Sequence, residues 1–209
     1  MRIGIYGGTF SPVHSGHLLA AREFMRGMEL DKLLVIPAAQ PPHKAMHTPV
    51  SAQDRFEMCR LAFGEMENVE ISDIEISRGG KSYTVDTLTA LRSKYPRDEL
   101  FLLVGTDMIL TFDLWYRYRD ILSLCTLVYV RRETDTELNT KISEKISFLE
   151  KETDTKIRHI YIEPVEISSS ELRQMLFAGE DTGDLIPEKV MDFILEKGIY
   201  TKTSGENDV

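Results

Sequence analysis

Four short apolar runs decide which folds are open to this chain: RIGIY (2–6), KLLVIPA (32–38), ELFLLVG (99–105) and TLVYV (126–130). A strand that is apolar on both faces must be covered on both, which is the situation of a central strand in a parallel sheet. Stretches of helical periodicity alternate with these runs: GHLLAAREFMRGM (16–28), SAQDRFEMCRLAF (51–63) and VDTLTALRSKY (85–95). The alternation predicts an α/β chain with a doubly wound, mostly parallel sheet and helices on both faces.

Local signals set the boundaries. Leu18, Leu19, Phe24 and Met25 are available for the buried side of the first helix, and Ser51, with Asp54 three positions on, opens the second. VEISDIEIS (69–77) alternates apolar and polar residues, so a strand or strand pair is expected there, closed by the turn RGGK. Thr84 is placed to cap the next helix and Pro96 to end it. The polar stretch 133–156 carries a thin apolar stripe, Leu138, Ile142, Ile146 and Leu149, and reads as an outer helix. IRHIYIE (157–163) gives a further strand. In ISSSELRQMLFAG, Ser168 and Glu171 stand in capping-box register with Gly179 past the helix end, and Pro187 opens the last helix in its first turn. The expectation is one domain over residues 1–200, with a small C-terminal helical appendage at about 167–200 and a disordered tail at 201–209.

With 209 residues, 42% of them hydrophobic, the chain can bury one sizeable core rather than two. A formal net charge of -9 argues against a bulk nucleic-acid binder, which needs a broad excess of Lys and Arg. Any polyanionic ligand must meet a local cluster of positive groups. Cys59 and Cys125 each sit in an apolar segment and read as buried free thiols of a reducing compartment. No apolar run approaches the roughly 18 residues of a membrane span, and Met1 leads straight into a strand without room for a signal peptide. A soluble cytoplasmic protein is expected, monomer or homo-oligomer.

The first turn carries the chemistry. In IGIYGGTFSPVHSGH (3–17) the glycines do not follow the dinucleotide pattern G-x-G-x-x-G, nor the phosphate loop G-x-x-x-x-G-K-[ST]. Gly7 and Gly8 instead permit a tight turn and close approach of a ligand, and Gly16 leaves the surface between His14 and His17 unobstructed. Those two histidines, spaced i to i+3, fall on one face at the N-terminus of the first helix, where free N–H groups and the helix dipole already favour anions.

GGTFSPVHSGH resembles the signature of the HxGH nucleotidyltransferase superfamily, whose fold is Rossmann-like. PAAQPPHK (37–44), SYTVDTL (82–88), GTDMILTFDLWY (105–116), ISSSELR (167–173) and IPEKVMDFILEKGIY (186–200), in that order, resemble the bacterial nicotinate-nucleotide adenylyltransferase family over almost the whole chain. The resemblance implies joining of ATP and nicotinate mononucleotide to give nicotinate adenine dinucleotide and pyrophosphate, in NAD biosynthesis. Mg²⁺ would be carried mainly by the phosphates, with no metal-binding residues of the protein's own. His14, His17, Lys44 and Arg173 are implied as the catalytic set. Gly7, Gly8, Thr9, Phe10, Gly105, Asp107, Arg132, Ser169 and Ser170 would hold ATP. Ser82, Tyr83, Thr84 and Trp115 would hold the mononucleotide, with the carboxylate on the Tyr83 and Thr84 amides and the pyridine ring on the indole. Asp107 has a second reading, as a helix N-cap.

Two departures from the family pattern stand out. Position 11 is Ser where many relatives have Asp or Asn, and VYVRRET lacks the Arg-Pro-Gly that often follows this strand, so Arg131 competes with Arg132 for the nucleotide contact. Phosphopantetheine adenylyltransferase or a cytidylyltransferase would share the histidine turn, but would not be expected to carry SYTVDTL with Trp115. A non-catalytic nucleotide sensor could shed any of the four catalytic residues, and all four are intact.

Overall fold

Six strands, β1 (Arg2–Gly8), β2 (Lys32–Pro37), β3 (Val69–Ile71), β4 (Glu99–Val104), β5 (Thr126–Arg131) and β6 (Arg158–Tyr161), form one sheet in the order β3-β2-β1-β4-β5-β6. Every neighbouring pair is parallel. The computed structural model describes residues 1–41, 50–131, 136–162 and 168–200. The helices are α1 (Ser15–Gly27), α2 (Ala52–Phe63), α3 (Ile74–Arg78), α4 (Thr84–Lys94), α5 (Thr106–Leu110), α6 (Tyr118–Leu124), α7 (Thr136–Thr153), α8 (Ser169–Ala178) and α9 (Glu188–Lys197).

Alternation along each strand sorts the core into two layers. Leu33, Val35, Phe101, Leu103 and Val128 point to one face, covered by Ala21 and Phe24 of α1, Met58 and Phe63 of α2, Leu172 of α8 and Val190 and Ile194 of α9. Ile3, Ile5, Leu34, Ile36, Leu100, Leu102 and Leu127 point to the other, covered by α4, α5, α6 and by Ile142 and Leu149 of α7. Gly4 interrupts the apolar run at the centre of β1. A Cβ there would sit 2.9 Å from Phe24 Cε1, so its absence lets α1 close onto the central strand. The C-terminal helices thus share a hydrophobic layer with α1 and α2.

The expected capping of α2 and α8 is present: Ser51 Oγ accepts from Asp54 N at 3.0 Å, Ser168 Oγ accepts from Glu171 N at 3.2 Å, and Glu171 Oε2 accepts from Ser168 N at 2.7 Å. Cys59 and Cys125 are both buried and unbonded to each other. Among the described residues no helix is long and apolar enough to cross a membrane. The tail 201–209 lies outside the described residues.

Four local expectations are corrected. The stretch 69–77 is a strand only to Ile71, then turns into α3. Its carboxylate at Glu75 is buried, accepting from Thr87 Oγ1 of α4 at 2.6 Å, a long-range partner that alternation cannot reveal. Tyr83, not Thr84, is the N-cap of α4, and Gly105, not Asp107, is the N-cap of α5. Pro187 stands one position before the first helical residue of α9.

Candidate active site

The strand order reverses direction of winding between β1 and β4, and at such a switch point the connecting segments leave to opposite faces and open a crevice at the carboxyl edge. Here the crevice is visible in the ladders. The β1–β2 pairing runs to Gly8↔Pro37, whereas the described β1–β4 pairing stops at Ile5↔Leu102, short of the ends of both strands. Gly7 and Gly105 flank the gap, and a Cβ on either would meet no atom within 4 Å. Two side-chain-free positions facing open space are what close backbone approach of a ligand requires.

From Gly8 the chain turns sharply. Phe10 is buried with φ +50°, a left-handed conformation uncommon for an aromatic residue, and its ring lies beneath Gly8. The ring packs edge-on against Tyr6, Phe63 and His17 at centroid distances of 5.4, 6.2 and 5.1 Å. Packing of this kind over-determines a backbone that would otherwise relax. The turn then delivers His14 as the N-cap of α1 and His17 in its first turn.

The two imidazoles lie side by side with centroids 3.8 Å apart. His14 N–H donates to His17 Nδ1 at 3.1 Å. That bond leaves the proton of neutral His17 on Nε2, free to donate outward. His14 is buried and its Nδ1 has no partner among the described residues. Burial pushes the His14 imidazole down to about 4. His17 is held well below the ordinary range by burial and by its neighbour. The pair is therefore neutral at pH 7, presenting N–H donors without a charge that would need a permanent counter-ion.

The first turn of α8 docks against this loop. Ser169 Oγ donates to Pro12 O at 3.1 Å, and Arg173 Nη1 donates to Ser11 O at 2.7 Å and Ser169 O at 3.1 Å. Arg173 Nη2 donates to the exposed Ser170 Oγ at 3.0 Å. Four of the residues singled out in the sequence, His14, His17, Ser169 and Arg173, are thereby brought to one turn from opposite ends of the chain. On the β4 side, Gly105 caps α5, Thr106 Oγ1 ties the turn to β5 through Val130 O at 2.8 Å, and Asp107 is exposed.

Residues 82–84 stand at the start of α4. Ser82 is buried, and its Oγ accepts from the amides of Ala39 at 2.9 Å and Gln40 at 3.3 Å. Tyr83 N–H already donates to Lys81 O at 3.0 Å. Its ring lies 4.8 Å from that of Tyr116, and Trp115, half-buried, lies 5.0 Å from Phe112. Lys44 and Arg132 fall outside the described residues. Arg131 is described, with its guanidinium 5.6 Å from the Tyr161 ring.

Two residues around the turn, Tyr200 and Arg55, are given no role by any motif in the sequence. Tyr200 OH is 2.7 Å from Ser11 Oγ, and Arg55 is fully buried with its guanidinium on backbone carbonyls. Arg55 had a detectable signal: it occupies the same helical phase as Met58, Cys59 and Phe63, the buried face of α2.

The cytidylyltransferase-like family model matches residues 5–175. A curated protein of Trichlorobacter lovleyi named "Probable nicotinate-nucleotide adenylyltransferase" is 38% identical, covering 96% of this chain and 99% of its own length. The chain belongs to the nicotinate-nucleotide adenylyltransferase family. A second member, from Geobacter sulfurreducens, is 38% identical over 96% of this chain and 98% of its own. The nicotinic acid mononucleotide adenylyltransferase of Plasmodium falciparum, solved with NaAD, shares the family fold with a TM-score of 0.73 at 18% identity, over 95% of this chain and 97% of that one.

Proposed function

We propose that this protein transfers the adenylyl group of ATP to nicotinate mononucleotide, forming nicotinate adenine dinucleotide and pyrophosphate. The observation that carries the reading is the pair of neutral imidazoles in contact at the mouth of the β1–β4 crevice. A mononucleotide phosphate is already an anion, so an oxygen of it attacks the α-phosphorus directly and no base is needed. The new P–O bond forms as the bond from that phosphorus to the bridging oxygen breaks, and pyrophosphate leaves with the electron pair. Positioning and charge stabilisation supply the rate.

His17 donates through Nε2–H, and His14 beside it, to the phosphate oxygens on which charge accumulates. Arg173, Ser169 and Ser170 take the β- and γ-phosphates, with Lys44 as a further cation. Gly7, Gly8, Thr9 and Phe10 bring backbone to the nucleotide, while Gly105, Asp107 and Arg132 or Arg131 hold its nucleoside side. Mg²⁺ bound to the triphosphate would neutralise its charge. The turn itself offers N–H donors, and a hard cation takes oxygen ligands, which the phosphates would supply.

Trp115 stacks on the pyridine ring. The nicotinate carboxylate sits at the N-terminus of α4, where the amides of Thr84 and Val85 have no backbone partner among the described residues, while Tyr83 N–H is already bonded. Ser82 serves by shaping this turn. A helix N-terminus prefers a carboxylate to a neutral amide, so nicotinate mononucleotide should be turned over faster than nicotinamide mononucleotide. Pyrophosphate release with ATP, Mg²⁺ and, separately, nicotinate mononucleotide, nicotinamide mononucleotide and phosphopantetheine tests the assignment. Release should be fastest with the first; release with phosphopantetheine alone would refute the assignment.

A further inference from the structure

Arg55 is the most deeply buried charged side chain among the described residues, with 0% of its surface exposed. Among those residues it forms no ion pair with a carboxylate. Its two terminal nitrogens donate to main-chain carbonyls instead, Nη1 to Thr9 O at 2.8 Å and Nη2 to Ala38 O at 2.5 Å and Ala39 O at 3.2 Å, while Nε has no partner among the described residues. Thr9 belongs to the histidine turn after β1; Ala38 and Ala39 belong to the turn after β2. One planar fork, whose geometry only arginine provides, thus fastens two separate loops of the carboxyl edge to each other.

The second loop is gripped from its other side as well. Ser82 Oγ accepts the amides of Ala39 and Gln40, and Ser82 N–H donates to Gln40 O at 2.8 Å. A continuous chain of hydrogen bonds therefore runs from the turn carrying His14 and His17, through Arg55 and Ala38–Gln40, to the start of α4. On the reading proposed above, its two ends hold the adenylyl donor and the nicotinate acceptor.

We infer that Arg55 is a positioning residue for the transfer: it touches neither substrate and sets the distance between the two loops that hold them. A displacement of about 1 Å between reacting groups can reduce turnover by 10²-fold without weakening either binding event. Arg55 should therefore affect kcat more than KM. A side chain that merely stabilised the fold would lower Tm and leave the kcat of folded molecules unchanged.

The test is Arg55→Lys, which keeps the charge but cannot bond both loops at once, assayed for pyrophosphate release well below its Tm. The expected result is kcat lower by about 10–100-fold with both KM values within about threefold. Folded Arg55→Lys with kcat within twofold of the parent would overturn the inference. If Arg55→Lys does not fold, Ser82→Ala removes the other grip on the same segment. Its kcat should fall by about 3–10-fold, and an unchanged kcat would overturn the inference equally. Unmodified protein inactive with nicotinate mononucleotide would sink the proposed reaction; active unmodified protein with indifferent variants would sink the role of Arg55 alone.

Discussion

The two sides of the crevice are built differently. The turn from Thr9 to His14 is held by side chains distant in sequence: Arg55 of α2, Ser169 and Arg173 of α8, and Tyr200 beyond α9. The segment from Thr111 to Tyr118, which carries Trp115, is held mostly by its own short-range bonds, Leu114 N–H to Thr111 O, Trp115 N–H to Phe112 O and Tyr118 N–H to Trp115 O, with a distant tie from Lys145 Nζ of α7 to Asp113 Oδ1 at 2.8 Å. Leu114 is 74% exposed and Tyr116 55% exposed, and Arg117 adopts a left-handed φ of +55°. The contrast follows from the chemistry proposed for each side. Donors at a transferring phosphorus lose their value when displaced, whereas a stacked ring tolerates sliding.

The difference can be broken by substitution. His17→Ala should leave the protein folded and lower kcat by about 10³-fold, ~4 kcal/mol in barrier, because a donor acting at developing charge is removed together with its bonded neighbour's orientation. Steady-state kinetics with a circular dichroism check decides it, and near-parent turnover would refute the assignment of the rigid side.

The same side should also carry the pH sensitivity. His14 is held near 4 when folded but titrates near 6.5 when unfolded, so the unfolded chain binds the proton first. Its contribution to stability is complete above about 6.5 and is lost as pH falls to 4, on the order of 3 kcal/mol. Denaturant unfolding at several pH values should show a shallower acid loss in His14→Gln than in the parent protein, while Trp115→Ala should keep the parent's slope.

Smaller effects should follow on the locally held side. Trp115→Ala should raise KM for the mononucleotide by about tenfold, ~1.4 kcal/mol, with KM for ATP unchanged; equal losses for both substrates would count against stacking. Tyr200→Phe removes one of the four clamps on the histidine turn and should cost about 1 kcal/mol of unfolding free energy while kcat stays within about threefold. A collapse of kcat in that variant would show that the clamps act in series and not in parallel.

The elements that the sequence made legible are those whose signals are local. The four central strands, the Ser51 and Ser168 caps and the stripe of α7 each depend on residues within a few positions of one another, and each appears where its pattern stands. The segment 69–77 departs from its alternation because Glu75, placed like a solvent-facing residue of a strand, is buried against Thr87 of the following helix. At the site, His14 and His17 were recognisable because one turn of helix brings them together. Ser169 and Arg173 were recognisable only through family likeness, since nothing local reveals that they reach Pro12 and Ser11.

By itself, then, the sequence determined a doubly wound sheet, its helix caps and a histidine pair at the first turn, because strand burial, capping and i to i+3 spacing act over one or two turns of chain. Tertiary structure alone decided that the β1–β4 ladder ends early to open a crevice, that Arg55 bridges two loops from beneath, and that Tyr200 closes on Ser11. Those contacts join residues 16 to 189 positions apart, and a buried donor finds its acceptor only after the layers that bury both have packed.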